Sequence, residues 1–207
     1  VFINHGGGPL PLLGKQPQIA KFLKAYPSSL PAVPTAILVV TAHWETRSTL
    51  KVSGGSSHSL YFDYGGFPKE SYEYQYPAPG SPDLAKQVIS LLAQRDMQCT
   101  ADPTRGWDHG VFVPTTLMFP KADVPVVALS LYSSQDAAAH LAVGEALQPL
   151  RDQGVLIVGS GASFHNFDYF FVSWKQARDP TVRQEGVKHS KQFDRWLTET
   201  VTSEGLS

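Results

Sequence analysis

The run A-I-L-V-V-T, from Ala36 to Thr41, restricts the architecture of this chain more than any other stretch. It is apolar without interruption and rich in β-branched side chains. A strand with one wet face alternates apolar and polar residues, whereas an unbroken run needs cover on both faces, as strands inside a parallel sheet have. Val124–Leu131 and G-V-L-I-V-G (Gly154–Gly159) repeat the pattern, and Val1–Asn4, Ser48–Val52 and Met97–Thr100 read as shorter strands. Helical periods fall between them. Gln18–Tyr26 places Ile19, Phe22, Leu23 and Tyr26 on one side. Ser81-Pro82 reads as an N-cap and first helical residue ahead of Leu84, Ala85, Val88, Ile89 and Leu92. Ser134 is expected to cap a helix running to about Leu150, and Val187–Val201 a helix with Phe193, Trp196, Leu197 and Val201 inward. Strands alternating with helices predict one domain over residues 1–207, a three-layer α/β/α fold with a mostly parallel central sheet.

Charge and composition narrow the function classes. A formal net charge of −1 with 42% hydrophobic residues shows neither the imbalance of a disordered chain nor the basic footprint of a nucleic-acid binder. No apolar run approaches the roughly 20 residues that cross a bilayer, and no secretory signal pattern opens the chain. The lone Cys99 has no internal partner for a disulfide, so a cytoplasmic, reducing setting is expected. The chain opens without methionine inside a strand and stops at E-G-L-S, so both ends read as clipped. Oligomeric state is not legible.

Of seven histidines, His5, His43 and His165 follow predicted strands. Ligands of open α/β sheets bind beyond the carboxyl ends of the strands, so the three imidazoles could converge there, and neutral imidazole is the commonest metal ligand. A hydrogen-bonded loop role is the alternative for each. The glycines of V-F-I-N-H-G-G-G-P allow close backbone approach to a ligand, or a tight turn into the next helix. His109 sits in R-G-W-D-H-G, read as a loop, where the neighbouring Asp108 would tune or orient it only if the two side chains do not point apart. His58 reads as solvated, and His140 and His189 as structural or surface residues within helices. Residues 53–82 carry no period and are rich in glycine, proline and tyrosine, the mark of a functional or mobile loop.

Several motifs fail on inspection. H-G-G-G is found in oxyanion loops of esterases, but G-A-S-F-H (Gly161–His165) is not the G-x-S-x-G that such enzymes need. There is no dinucleotide fingerprint, P-loop, H-E-x-x-H or paired C-x-x-C.

H-G-G-G-P (His5–Pro9), V-V-T-A-H-W (Val39–Trp44), Y-G-G-F-P (Tyr64–Pro68), Y-P-A-P-G-S-P (Tyr76–Pro82), G-W-D-H-G (Gly106–Gly110) and S-G-A-S-F-H-N (Ser160–Asn166) occur in that order. Together they resemble the class III, LigB-type extradiol ring-cleavage dioxygenases, in the branch of the DOPA 4,5-dioxygenase-like proteins. The resemblance implies that His5 and His43 bind non-haem Fe(II), which zinc can replace. It makes His165 either a further metal ligand or the acid–base histidine, and His109 a second catalytic histidine at the substrate. The C-terminal ligand segment of that family, of the type E-H-L-L-P-L, does not occur here.

The implied reaction opens a catechol-type ring, DOPA-like in this branch, with O2. An iron oxygenase needs N/O ligands with open positions, and a histidine with a near-neutral pKa can take and return the proton. Trp44, Tyr64 and Phe67 would wall the substrate ring or else pack the core. The implied partners are thus a small aromatic diol and O2, with no nucleic acid and no membrane. Two alternatives remain open at this level: a Memo-like interaction protein without catalysis, and a metal or serine hydrolase that uses H-G-G-G.

Overall fold

The computed structural model describes residues 1–166 and 180–203, and the chain falls into two compact units, Val1–Gly161 and Ala162–Ser207. The first holds six strands: β1 (Phe2–Asn4), β2 (Ala36–Thr46), β3 (Leu50–Ser53), β4 (Cys99–Asp102), β5 (Val126–Tyr132) and β6 (Val155–Gly161). They form one sheet in the order β1-β6-β2-β5-β3-β4. The first four strands in that order are mutually parallel. β3 runs antiparallel to β5, and β4 lies parallel to β3.

The apolar run of β2 does what its composition requires. Ile37 and Val39 enter one core layer, with Leu23 of α1 (Pro17–Ala25) and Phe112 of α3 (His109–Met118). Leu38 enters the other, with Val88 of α2 (Pro82–Ala93) and Leu147 of α4 (Ala137–Leu147). Helices thus cover both faces, giving the expected α/β/α layers. At about 25 cal/mol per Å2 of apolar surface, this two-sided burial is the main term holding the unit together.

Local chemistry sets the element ends. Ser81 caps α2 as expected, its side chain accepting from Leu84 N. The cap of α4 is Asp136 rather than Ser134. Its Oδ1 accepts from Ala138 N and Ala139 N, and its charge suits a helix N-terminus better than a hydroxyl does. That helix stops at Leu147 and a short one, α5 (Pro149–Asp152), follows, because Pro149 has no N–H to continue the ladder. The strand expected at Met97–Thr100 lies two residues later, where Cys99 pairs with Leu50.

α3 was not expected at all. Nearly every residue in H-G-V-F-V-P-T-T-L-M is buried, so no polar stripe reveals a 3.6 period, and Pro114 inside it argues against a helix.

In the second unit, α6 (Pro180–Thr202) is longer than expected and none of its residues is buried. Phe193 meets Phe164 and Trp196, while Trp196 and Val201 are exposed rather than inward. Among the described residues, no helix is long and apolar enough to cross a membrane.

Candidate metal centre

Three imidazoles meet at the carboxyl ends of the parallel strands of the first unit. His5 follows β1, His43 lies in the last part of β2, and His109 opens α3. Ring centroids are 4.9 Å apart for His5 and His43, 5.0 Å for His5 and His109, and 4.0 Å for His43 and His109. One ring nitrogen from each lies within 4.8 Å of those of the other two.

His43 was expected beyond its strand but sits inside it, in a bulge. Val40 pairs with Leu129 and Glu45 with Leu131, so Thr41–Trp44 stand opposite the single residue Ser130. Such bulges re-aim side chains at sheet rims. Here the bulge brings Thr41 and His43 up to α3 while Trp44 returns to the core layer of Ile37 and Val39. The turn after His5 needs its glycines: Gly6 and Gly8 have φ of +84° and +53°. A Cβ on Gly8 would also lie 3.3 Å from the Phe67 ring.

The hydrogen-bond pattern fixes the ring of His5. Ser160, buried between β1 and β2 in register with Ile3 and Thr41, donates its hydroxyl proton to the carbonyl of Gly110. A carbonyl can only accept, so the 2.8 Å contact between Ser160 Oγ and His5 Nδ1 has the ring as donor. His5 therefore carries its proton on Nδ1 and presents Nε2 as the basic nitrogen. That Nε2 lies 3.1 Å from Nε2 of His43. Two nitrogens each about 2.1 Å from one ion, at 90–109° to each other, would stand about 3.0–3.4 Å apart. Imidazole suits zinc, iron, copper and nickel alike, so the residues fit a transition metal without selecting one.

Among the described residues, two carboxylates lie at the cluster, and one of them holds a ring. Asp63, from the long aperiodic segment, accepts from the backbone N and from Nδ1 of His109, both at 2.9 Å, and its other oxygen is 3.7 Å from His43 Nδ1. Burial pushes the Asp63 carboxyl up, but the hydrogen bonds and charge of His109, with the charge of His43, outweigh it and hold it below the ordinary range. Asp108, beside His109 in sequence, points elsewhere. It accepts from Thr41 Oγ1 at 2.8 Å and pairs with Arg105 Nη2 at 3.3 Å, and burial pushes its carboxyl up.

The remaining expected site residues divide. Tyr64 lies beside His109, ring centroids 6.0 Å apart, and its hydroxyl donates to Ser71 O at 2.6 Å. Phe67 packs edge-on against Tyr64. Trp44 is buried in the core and covered by the Arg105 guanidinium, 5.1 Å from its ring centroid. His165 belongs to the second unit. His58, expected to be solvated, packs against Trp107 with its ring nitrogens at the carbonyls of Arg105 and Gly55. Asp63 and Ser160 were not foreseen as site residues. The one available signal for Asp63 was an acid set among aromatic residues in Y-F-D-Y.

The chain is similar to several known proteins. Residues 14–203 match the family model of the catalytic LigB subunit of aromatic ring-opening dioxygenase. The chain is 43% identical over 177 residues to the dioxygenase tasH of Hapsidospora irregularis, covering 80% of this chain and 54% of that protein. It is 42% identical over 204 residues to a 4,5-DOPA dioxygenase extradiol of Beta vulgaris, covering 98% of this chain and 72% of that one. A solved structure of an uncharacterized protein from Escherichia coli K12 superposes with a TM-score of 0.60 at 38% identity, over 73% of this chain and 55% of that chain. The chain thus spans only about half the length of some of the proteins it matches.

Proposed function

The chain belongs to the family of the catalytic LigB subunit of aromatic ring-opening dioxygenase, and from that premise we propose that it is an extradiol dioxygenase that uses non-haem Fe(II) and O2 to open a catechol, DOPA or a close analogue. The observation that carries this reading is the approach of Nε2 of His5 and His43 to 3.1 Å, with His109 facing the same point. His5 and His43 would hold the ion, with zinc able to take its place. When bound, the ion supplies a Lewis acid and an electron path between a chelating diol and dioxygen.

The chain's own groups would do the rest. His109, anchored on Asp63 through Nδ1, offers Nε2 to take a hydroxyl proton of the diol. His165 is assigned the acid–base role or a further ligand position, as the family pattern implies. Tyr64 and Phe67 supply aromatic walls near His109, and Trp44 supports the bulge that carries His43. Both oxygen atoms end in the product, and the ring opens beside the two hydroxyls. A serine hydrolase is disfavoured by the same hydrogen bonds: Ser160, the serine touching His5, is buried and has its proton on Gly110 O, not on the imidazole.

The test is aerobic incubation of the iron-loaded protein with DOPA and a series of simple catechols, following O2 uptake and absorbance. A yellow ring-opened product, formed with one O2 per turnover and lost in His43→Ala, is the expected result. An iron-replete protein that consumes no O2 with any of them would refute the assignment.

A further inference from the structure

We propose that Asp63 is a positioning residue that sets the tautomer of His109 and the relative orientation of His109 and His43, and so makes two separate elements present their Nε2 atoms to one point. The inference rests on the reading of this cluster as a metal centre and goes beyond it, since Asp63 touches the rings only from behind.

The first argument is donor counting. An ionised carboxylate only accepts. Oδ1 of Asp63 takes two hydrogen bonds from His109, one from the backbone N and one from ring Nδ1, each 2.9 Å. His109 therefore carries its proton on Nδ1, and Nε2 is its basic nitrogen. Oδ2 stands 3.7 Å from His43 Nδ1, too far for a hydrogen bond, but its charge favours a proton on Nδ1 once Nε2 of His43 is given to an ion. Ser160 enforces the same tautomer on His5, so in the 3.1 Å contact between the two Nε2 atoms His43 is the donor until an ion takes that proton's place.

The second argument is helix capping. His109 is the first residue of α3, and its backbone N–H has no acceptor within the helix. Asp108 stands at the N-cap position but makes no capping bond with its side chain. Asp63, 46 residues earlier in the chain, fills that place. One oxygen thus fixes both the start of α3 and the ring of its first residue. Any shift of Asp63 would move His109 as a whole, not just rotate its imidazole.

The third argument is exclusion. Among the described residues, the other carboxylate at the cluster, Asp108, is engaged by Thr41 and Arg105 and takes no hydrogen bond from either ring. The segment carrying Asp63 is held independently: Tyr61 N donates to Trp107 O, and Tyr64 Oη donates to Ser71 O. Asp63 is therefore presented by its own scaffold. Outer carboxylates that hold ligand histidines this way typically contribute 10–100-fold in metal affinity.

The test uses three proteins, wild type, Asp63→Asn and Asp63→Glu, and two measurements. Long-range 1H–15N correlation spectra of the metal-free protein report the tautomer of each ring. Competition of Co(II) against a chromophoric chelator reports affinity, and the Co(II) visible spectrum reports coordination. The metal-free wild type is expected to show Nδ1–H on His109 and, because His43 must donate to the basic Nε2 of His5, Nε2–H on His43. Asp63→Asn keeps the size of the side chain but loses the charge that favours a proton on His43 Nδ1 when Nε2 is given to an ion, so it should weaken Co(II) binding by about 10–100-fold and alter its spectrum. Asp63→Glu retains the acceptor charge and should keep more of the affinity than Asp63→Asn. An Nε2–H tautomer on wild-type His109 overturns the proposal, and needs no variant to fold. Equal Co(II) affinity in wild type and Asp63→Asn also overturns it, leaving the metal-centre reading intact. A wild type that binds no Co(II), Zn(II) or Fe(II) refutes that reading itself.

Discussion

Ser160 gives its hydroxyl proton to the carbonyl of Gly110, a carbonyl left without its helical donor because Pro114, four residues on, has no N–H. A residue that looks like a defect in a buried helix thereby reaches the ring of His5: Pro114 exposes Gly110 O, Gly110 O orients Ser160, and Ser160 can then only accept from His5 Nδ1.

Pro114→Ala tests this path without removing any group at the site. The new N–H at residue 114 competes with Ser160 for Gly110 O, releasing the serine proton to turn toward His5. Alanine is better than proline in a helix interior by about 3 kcal/mol, so stability should hold or rise, while metal affinity falls about tenfold. Urea midpoints and chelator competition on the same preparation check both. Unchanged affinity in a folded variant would break the proposed path.

Gly110→Ala should damage the site through packing. A Cβ there would lie 2.7 Å from Thr41 Oγ1 and 3.1 Å from His43 Cδ2. Thr41 has little room to yield, since it is buried and bonded to Asp108. Overpacking of this kind costs about 1–3 kcal/mol, offset by about 1 kcal/mol of helix propensity. A small loss in thermal midpoint together with a large loss of metal binding is the expected result, because His43, exposed where Thr41 is buried, is the neighbour with room to yield.

The layers of the fold were legible because strands covered on both faces cannot hide: β2, β5 and β6 each open on an unbroken apolar run, and α1 and α2 carry one-sided stripes. α3 was illegible for the converse reason. Burial all round erases helical periodicity, and Pro114 adds a false stop. At the site, His5 and His43 stood out because a titratable ring after a run of apolar residues is conspicuous. The carboxylate that touches His109 did not, since Asp108 is adjacent in sequence but turned toward Arg105, and Asp63 approaches from an aperiodic segment. Hydrogen-bond partnership between distant residues leaves no local period to read.

Cys99 should react as a sheltered thiol. Burial pushes its pKa up to about 11, so at pH 8 about one molecule in a thousand carries the thiolate. Alkylation by iodoacetamide is expected to run about 100-fold slower in the folded protein than in urea, and to keep rising with pH toward 11. The fold favours the protonated thiol, so this residue's contribution to stability is present below the ordinary thiol pKa and is lost as pH rises toward 11. A labelling profile that levels near pH 8.5 would contradict the burial argument.

The last prediction concerns the Arg105–Asp108 pair. Arg105 lies between the rings of Trp44 and Tyr61, 5.1 and 4.9 Å from their centroids, and its Nη2 reaches both Asp108 Oδ2 and the carbonyl of His43. Asp108 is 1% exposed, whereas the Arg105 side chain is 20% exposed. Arg105→Met keeps much of the packing but leaves the buried carboxylate supported mainly by Thr41. Breaking a buried pair on one side costs 3–5 kcal/mol, and the partial exposure of Arg105 reduces this to about 2–3 kcal/mol. Burial already pushes Asp108 above the ordinary value of 3.8, and the guanidinium opposes that shift. Its removal pushes the folded-state pKa higher still. A carboxyl whose folded pKa is raised favours the fold while protonated and loses that advantage as pH rises through the folded value. The stability deficit of Arg105→Met should therefore be largest near neutrality and shrink as pH falls and the variant's carboxyl takes up its proton. Urea unfolding of wild type and variant at pH 4.5 and 7.5 measures the difference directly, and a deficit that stays constant or grows toward acid would show that Asp108 is not held charged by Arg105.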